Sequence, residues 1–441
     1  MTPRTPGGLL RRHRDFRLLW CGETAGKYGS AVTGVAMPLI AVSTLHADTF
    51  EVGLLAATAW APWLLFGLPA GAWVDRLPRR PVMVATAAVS LVLFASVPVA
   101  ARSGLLSVGV LLAVALLTGT AAVFFQTAYS AYLAGLLDPA DQPEGNAKLH
   151  GSASAAQIAG QGSGGLIAQL AGAVNGMFVN AATLSVSLLC LTGIRFREPR
   201  VPRAERPPRA LAREVAEGLR LIAGDRWLRT LTLFAAASNL ALMGYQSIQV
   251  VFLVRTVGLS PGLVGGLIAA VSLGGVAGAF CARRVAARVG DARATLVFEV
   301  GLAVGALLMP MTASGPGVTL FVAGGFCVTA GVVAGNVIKA SFQQRYCPPE
   351  LLGRLAATSA FVSYGTLPLG ALLGGALGTA LGLRAAMWIT TAGIPLAGLI
   401  LLFSPIRRSR DLPASAPPRP RHEAPGHTMR PRPRHEAPGT S

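Results

Sequence analysis

Charge is what this sequence has least of. Of its 441 residues, 13% are Asp, Glu, Lys or Arg, where a soluble domain carries about a quarter. Hydrophobic residues make up 52% and the mean hydropathy is +0.55. That is more apolar material than one or two soluble cores can hide, so lipid is the solvent to consider. Lysine is nearly missing: Lys27, Lys148 and Lys339 are the three, and none sits in a GxxxxGK[ST] phosphate loop. ATP-driven pumping by this chain alone is therefore not expected. HExxH and GxSxG are missing too, and histidine is almost absent from the apolar runs. The five cysteines, Cys21, Cys190, Cys281, Cys327 and Cys347, are scattered without a CxxC pair. They read as small apolar residues and not as metal ligands or disulfides, and no cofactor or metal is expected.

What the sequence does contain is twelve apolar windows, each long enough to cross a bilayer. They fall at about 17–43, 51–73, 81–101, 105–132, 147–171, 174–194, 229–254, 262–282, 293–313, 317–339, 355–380 and 383–404. All twelve are expected to be helices, because a backbone in hydrocarbon must satisfy its own hydrogen bonds. The runs do not alternate as β-barrel strands do.

The net charge of +19 invites a nucleic-acid reading, but its distribution argues against one. An even helix count puts both termini on one side. That side receives 33 of the 38 Lys and Arg residues; the other receives Arg102, Arg255 and Arg384, while Lys27 and Lys339 fall within the spans. The asymmetry follows the positive-inside rule and predicts both termini in the cytoplasm, with the basic surplus near anionic headgroups. No nucleic-acid partner is expected. Helix 1 carries Glu23 and Lys27 and reads as a first span, not as a cleaved signal.

The apolar pattern breaks once. Residues 195–228 are polar, basic and proline-containing. Within them Leu211, Val215, Leu219 and Ile222 are spaced for an amphipathic helix, either on the membrane surface or as a solvated spacer. The predicted organisation is a six-helix bundle at 1–194, a cytoplasmic linker at 195–228, a second six-helix bundle at 229–404 and a tail at 405–441. The tail repeats PRPRHEAPG at 418–426 and 431–439 and has too little apolar surface to fold. The halves echo each other: GAWVDR (71–76) leaves helix 2 and GAFCAR (278–283) leaves helix 8, 207 residues apart. Six helices, a linker and six related helices suggest an internally duplicated transporter.

Ionisable residues at membrane depth usually face protein or a water-filled cavity. Glu23 and Lys27, four apart on one face of helix 1, form either a local ion pair or a proton site. Glu299 in helix 9 has no sequence-local partner at its depth and is a second proton-site candidate. Lys339 is expected to snorkel towards the end of helix 10. Asn239, Gln246 and Gln249 make a polar stripe on helix 7 with Tyr245 alongside, and Gln126 is a polar position in helix 4. These are the substrate-cavity candidates, against the alternative of ordinary interhelical hydrogen bonds. In the turn after helix 2, Gly71 is expected to let a neighbouring helix approach. Asp75 would cap helix 3 or pair with an arginine. Arg76, Arg79 and Arg80 would stay near headgroups, serving as a latch or fixing topology only.

The spacing Gly71-x-x-x-Asp75-Arg76-x-x-Arg79-Arg80 resembles the loop 2–3 signature of the major facilitator superfamily. RDFRLLW (14–20), NAKL at the start of helix 5, EVAEGLRLI and CPPELLGRLA resemble, more narrowly, the branch with macrolide-efflux and enterobactin-exporter proteins. The similarity runs from about residue 10 to 404. It implies an all-α integral membrane fold of two pseudo-symmetric six-helix bundles. It also implies a monomeric plasma-membrane transporter that exports a drug-like or natural-product small molecule in exchange for protons. An uncoupled facilitator or importer is the alternative; a polytopic membrane enzyme or a nontransporting sensor is the alternative from another class. Two positions depart from the family pattern. Gln161 stands where antiporters carry proline in the helix 5 glycine element (160–165), and Ala282 stands where the second-half loop would carry an acid.

The charge asymmetry generates a first prediction. A single cysteine placed between 195 and 217 should react with an impermeant maleimide only when the cytoplasmic face is exposed; labelling of intact cells would reverse the topology.

Overall fold

A computed structural model describes residues 8–74, 76–196, 218–347 and 349–413. All twelve expected helices are present. In chain order they are α1 (Arg14–Leu39), α2 (Thr49–Val74), α3 (Arg79–Arg102), α4 (Val108–Leu136), α5 (Gln142–Ala171) and α6 (Ala173–Gly193). The second bundle has α7 (Arg226–Val251), α8 (Pro261–Val289), α9 (Asp291–Met311), α10 (Val318–Tyr346), α11 (Pro349–Leu381) and α12 (Leu383–Leu402). Helices α1 and α7, equivalent in a duplicated chain, both end in a five-residue π turn, Ile40–Thr44 and Phe252–Thr256.

Ten of the helices are apolar enough to span a bilayer by composition alone; α1 and α5 are not among them. Their polar groups pair with each other. The Thr24 hydroxyl lies 3.0 Å from that of Ser152, the Tyr28 hydroxyl 2.7 Å from that of Ser163, and the Trp20 indole N–H donates to the Lys148 carbonyl. A hydroxyl that bonds a neighbouring helix stabilises the pair by about 0.6 kcal/mol in a membrane, so two helices too polar to stand alone in lipid are soluble as a pair.

At the charge-rich end, carboxylates pin loose segments to helix ends. Asp15 accepts from the Arg195 and Phe196 amides where the linker begins. Asp225 caps α7 through the Trp227 and Leu228 amides and accepts from the Tyr346 hydroxyl, where the linker ends. The linker's described part, 218–224, is helical. Ile222 is buried against Trp227 and Leu228 while Leu219 is exposed. Of the two stripe positions described, Ile222 docks on protein and Leu219 does not. Leu211 and Val215 lie outside the described residues.

The start of the tail is also part of the fold. Ile406 and Leu412 are buried among α9, α10 and α12 side chains. The Arg410 carbonyl accepts from the Ala292 and Arg293 amides, and Asp411 accepts from that of Asp291. The second bundle thus extends to about 412 and not 404, because those backbone bonds close the open N-terminus of α9. Residues 414–441 lie outside the described residues.

The two bundles meet along two seams, α2 against α11 and α5 against α8. Each is tightest towards the charge-poor end, where helices touch backbone to backbone. A Cβ on Gly53 would lie 2.7 Å from Gly375 Cα, and one on Gly165 would lie 2.6 Å from Gly265 Cα. Polar bonds also join the two bundles. Arg255 donates to the Ala47 carbonyl at 2.7 Å, Gln169 accepts from the Gly262 amide, and Ser272 donates to Gln161 at 2.6 Å. Gln161, in the proline position of the family element, is thus a cross-bundle acceptor.

Along α2 the positions 53, 57, 60 and 64 form one helical stripe against α11, ending where Leu64 meets Gly365. Gly67 and Gly71 continue that stripe, yet among the described residues nothing lies within 4 Å of a Cβ at either. The close approach expected at Gly71 is not formed, because the bundles have diverged by that depth.

The glycine contact predicts that Gly165→Val separates the charge-poor ends. Spin labels at Leu170 and Leu263, both exposed, should report a distance longer by about 2–4 Å as the helices relax towards the usual 8–10 Å spacing. An unchanged distribution would mean the contact does not set the closure.

Candidate functional site

Where the bundles diverge, the second bundle presents a cavity of about 410 Å³. Helix α7 supplies Thr232, Ser238 and Asn239; α10 supplies Asn336, Lys339 and Gln343. Helix α11 adds Ser359, Ser363 and Tyr364, and α9 adds Glu299. The volume is in the range of small-molecule pockets, which run from about 300 to 1,000 Å³.

Glu299 reaches this wall through an irregularity in its helix. Helix α9 begins as α (Asp291–Leu296), widens into a π turn over Val297–Gly301 and continues as 3₁₀ from Leu302 to Met311. A π turn inserts a residue and re-aims the side chains around it, and such turns concentrate at functional sites. The carboxyl lies flat on the backbone of Gly335 in α10, where any Cβ would overlap it. Its charged neighbour is Lys339, one turn further along α10. Lys339, expected from sequence to snorkel, lines the same cavity as Glu299 and is within its electrostatic reach.

The other candidates are distributed differently. Glu23 and Lys27 form an i,i+4 ion pair at 3.3 Å, with the lysine the more exposed partner, and Tyr129 of α4 lies within electrostatic reach of Glu23. Of the α7 stripe only Asn239 lines the cavity, donating to the Ser363 carbonyl. Tyr245 is buried in the core, Gln246 is exposed and Gln249 is half-buried. Neither glutamine lines the cavity. A stripe at i, i+7 and i+10 shares a face, but the seam leaves α7 open only at the Asn239 level. Gln126 is half-buried on α4.

In the turn after α2, Asp75 lies outside the described residues. Helix α3 starts after Pro78, and among the described residues no side chain caps its first turn. Arg80 donates from Nε and Nη2 to the Leu191 and Thr192 carbonyls, at 3.1 and 2.6 Å, and so caps the end of α6. Arg79 donates to the Ala131 carbonyl of α4, and Arg76 is exposed. Arg79 and Arg80 thus tie helices within the first bundle.

Several cavity residues were overlooked in the sequence. Asn336, Lys339 and Gln343 stand at i, i+3 and i+7 on α10, and Ser359 and Ser363 at i and i+4 on α11. The periodicity test applied to α7 would have found both. Trp60 and Trp63, which meet Tyr364 across the α2–α11 seam, carry no such signal because they read as span residues.

Twelve helices in two bundles, joined by two seams around a polar wall, define a membrane transporter of the alternating-access class. The sequence matches the Major Facilitator Superfamily over residues 19–367, and the chain belongs to that family. It is 29% identical over 413 residues to the multidrug efflux pump Tap of Mycolicibacterium fortuitum, covering 91% of this chain and 97% of that one. Among solved structures it is similar to a bacterial homologue of the iron transporter ferroportin in an inward-facing state (TM-score 0.70, 15% identity, 90% of this chain and 99% of that one). It is also similar to a bacterial homologue of the human lysosomal transporter Spinster, inward-facing and unoccupied (TM-score 0.68, 15% identity, 92% and 98%). At such identity these two establish the fold.

The Arg80 contact predicts that Arg80→Ala lowers stability by about 1–3 kcal/mol, as expected for charge-assisted bonds to open helix-end carbonyls. Arg80→Lys should restore only part, since an ammonium cannot fork to both. Thermal unfolding in detergent checks this; equal melting of all three proteins would remove the capping role.

Proposed function

We propose that this transporter exports a drug-like or natural-product small molecule from the cytoplasm in exchange for protons, working as a monomer with both termini inside. The observation that carries the reading is Glu299: a carboxylate in a π turn, at membrane depth, on the wall of the cavity and beside a single lysine. A charge at that depth is costly and is kept where it serves transport. The similarity to multidrug efflux pumps over nearly the whole chain supports export and a drug-like substrate.

Coupling needs a group whose interactions differ between the two open states. Glu299 can hold Lys339 or hold a proton. As an ion pair, the two charges favour a wet, open cavity. With a proton on Glu299, closing the cavity no longer buries the carboxylate charge, so proton arrival and substrate departure bias the same equilibrium. Glu23 and Lys27 repeat the arrangement within one helix of the other bundle and are the secondary coupling pair. The divergence of the seams beyond Leu64, at the charge-rich end, supports assigning this conformation to the cytoplasm-open state. Asp75, Arg76, Arg79 and Arg80, on the loop at that end, would hold the opposite state closed.

The test is transport by purified protein in vesicles with an imposed pH gradient, using macrolides and fluorescent cations. Glu299→Gln should abolish gradient-driven movement, by about tenfold or more, while leaving gradient-free exchange of substrate across the membrane. Movement indifferent to collapse of the gradient would establish a facilitator; conversion of a compound without its translocation would establish an enzyme.

A further inference from the structure

We propose that Trp60, Trp63 and Tyr364 form a stacking platform that binds flat, conjugated organic cations at the rim of the Glu299 cavity. The proposal rests on the transport reading above and names the class of substrate it would take.

The three rings come from opposite bundles. Tyr364 of α11 lies 5.1 Å from Trp63 and 6.1 Å from Trp60 of α2, centroid to centroid, and the two indoles are 6.5 Å apart. All three spacings are in the range of productive aromatic pairs, but the planes are tilted by 30 to 59°, so the rings splay and do not close on one another. Tyr364 remains 38% exposed although it is packed against two indoles, and it lines the cavity that holds Glu299.

The depth of the cluster is unusual. Trp60 is eleven residues into α2, about 16 Å along the helix axis from its charge-poor end and so close to the middle of a hydrocarbon layer about 30 Å thick. Tryptophan in membrane proteins concentrates at the two interfaces, where its N–H meets water. A pair of indoles at the midplane on a seam between moving bundles needs another reason, and a ligand supplies one.

Chemistry selects the ligand. Indole and phenol faces carry negative quadrupole charge and attract cations, tryptophan most strongly. Glu299 stands on the same wall, and a cavity of about 410 Å³ admits a few fused rings at most. A flat cation can therefore lay its ring system on Tyr364 and the indoles and turn its charge towards Glu299, in competition with Lys339. Ser359, whose buried hydroxyl has no hydrogen-bond partner among the described residues, offers a donor or acceptor to the ring substituents. Since the platform spans both bundles, rotating them apart at the charge-poor end would pull α2 from α11 and dismantle it, so the ligand is held in one state and released in the other.

The test uses full-length protein in detergent, at one pH and with no gradient, and ethidium as the probe. Trp60→Ala, Trp63→Ala and Tyr364→Ala should each weaken ethidium binding about tenfold, whereas Trp60→Phe and Tyr364→Phe should stay within about threefold of the parent. Tetraethylammonium, a cation without rings, should compete poorly. Ethidium stacked on the wild-type platform should quench tryptophan emission, and the Trp60→Phe/Trp63→Phe protein should lose that quenching while still binding. Ethidium affinity unchanged in the alanine proteins, or quenching unchanged in the double phenylalanine protein, overturns the platform. Ring-dependent ethidium binding by a protein that moves nothing under a pH gradient supports the platform and overturns export. Gradient-driven macrolide export with ring-independent ethidium binding does the reverse.

Discussion

Lipid removes the force that holds a soluble core together. An apolar side chain gains little by leaving a lipid tail for a neighbouring helix, so helices associate through close contact and a few polar bonds. This constraint governs how the two bundles of this transporter are joined. Their tightest junctions are places with no side chain at all, Gly53 against Gly375 and Gly165 against Gly265. Such contacts are strong at touching distance and vanish within a few tenths of a nanometre, so they hold firmly and release without exposing a greasy interface. The α2 stripe shows the consequence in one helix. It is in contact at 53, 57, 60 and 64, and it faces open space at Gly67 and Gly71. The angle between bundles is thus written as a gradient of contact along one face of α2, with the pivot at the charge-poor end.

The duplicated halves are alike in frame and unlike in chemistry. The paired π turns after α1 and α7 preserve the symmetry. Helix α9 breaks it: its counterpart α3 is α-helical from Arg79 to Arg102, while α9 changes winding twice and carries Glu299 at the first change. The acidic residue of the first-half loop has no counterpart at Ala282, and the first bundle holds its Glu–Lys pair on a single helix. Duplication supplies a mechanical frame; departures from it mark where binding and coupling are to be sought. Gln161 follows the same logic, since the side chain that departs from the family element bonds Ser272 across the seam.

Hydropathy revealed the twelve helices, because the bilayer imposes one length and one backbone solution on every span. All twelve windows became helices. The site was only partly legible. Glu299 stood out because an isolated acid in an apolar run is conspicuous. Lys339 did not, since snorkelling and pairing look the same until the partner's position in another helix is known. Tyr245, Gln246 and Gln249 do not line this cavity, for a related reason: periodicity gives the face of a helix but not the depth at which neighbours uncover it. The tail boundary was missed because Ile406 and Leu412 are two isolated apolar residues in a polar stretch, and only the open end of α9 explains their burial.

The three arginines on the charge-poor side complete the mechanical picture. Positive charge is disfavoured on that side of a membrane protein, so each one should have a compensating contact. Arg102 lies over the Phe178 ring at 4.8 Å, fixing the end of α3 to α6. Arg384 donates to the Pro310 and Thr312 carbonyls and covers Phe252, fixing the start of α12 to α9 and α7. Both contacts stay within one bundle and can survive any rocking motion. Arg255 is different: its guanidinium reaches the Ala47 carbonyl of the other bundle. It must let go whenever the charge-poor end opens, and water then replaces the carbonyl at little cost. Two arginines therefore stiffen the bodies that move, while the third is a reversible fastener between them. With the glycine contacts beneath it, Arg255 makes closure at that end a sum of small, separately breakable terms.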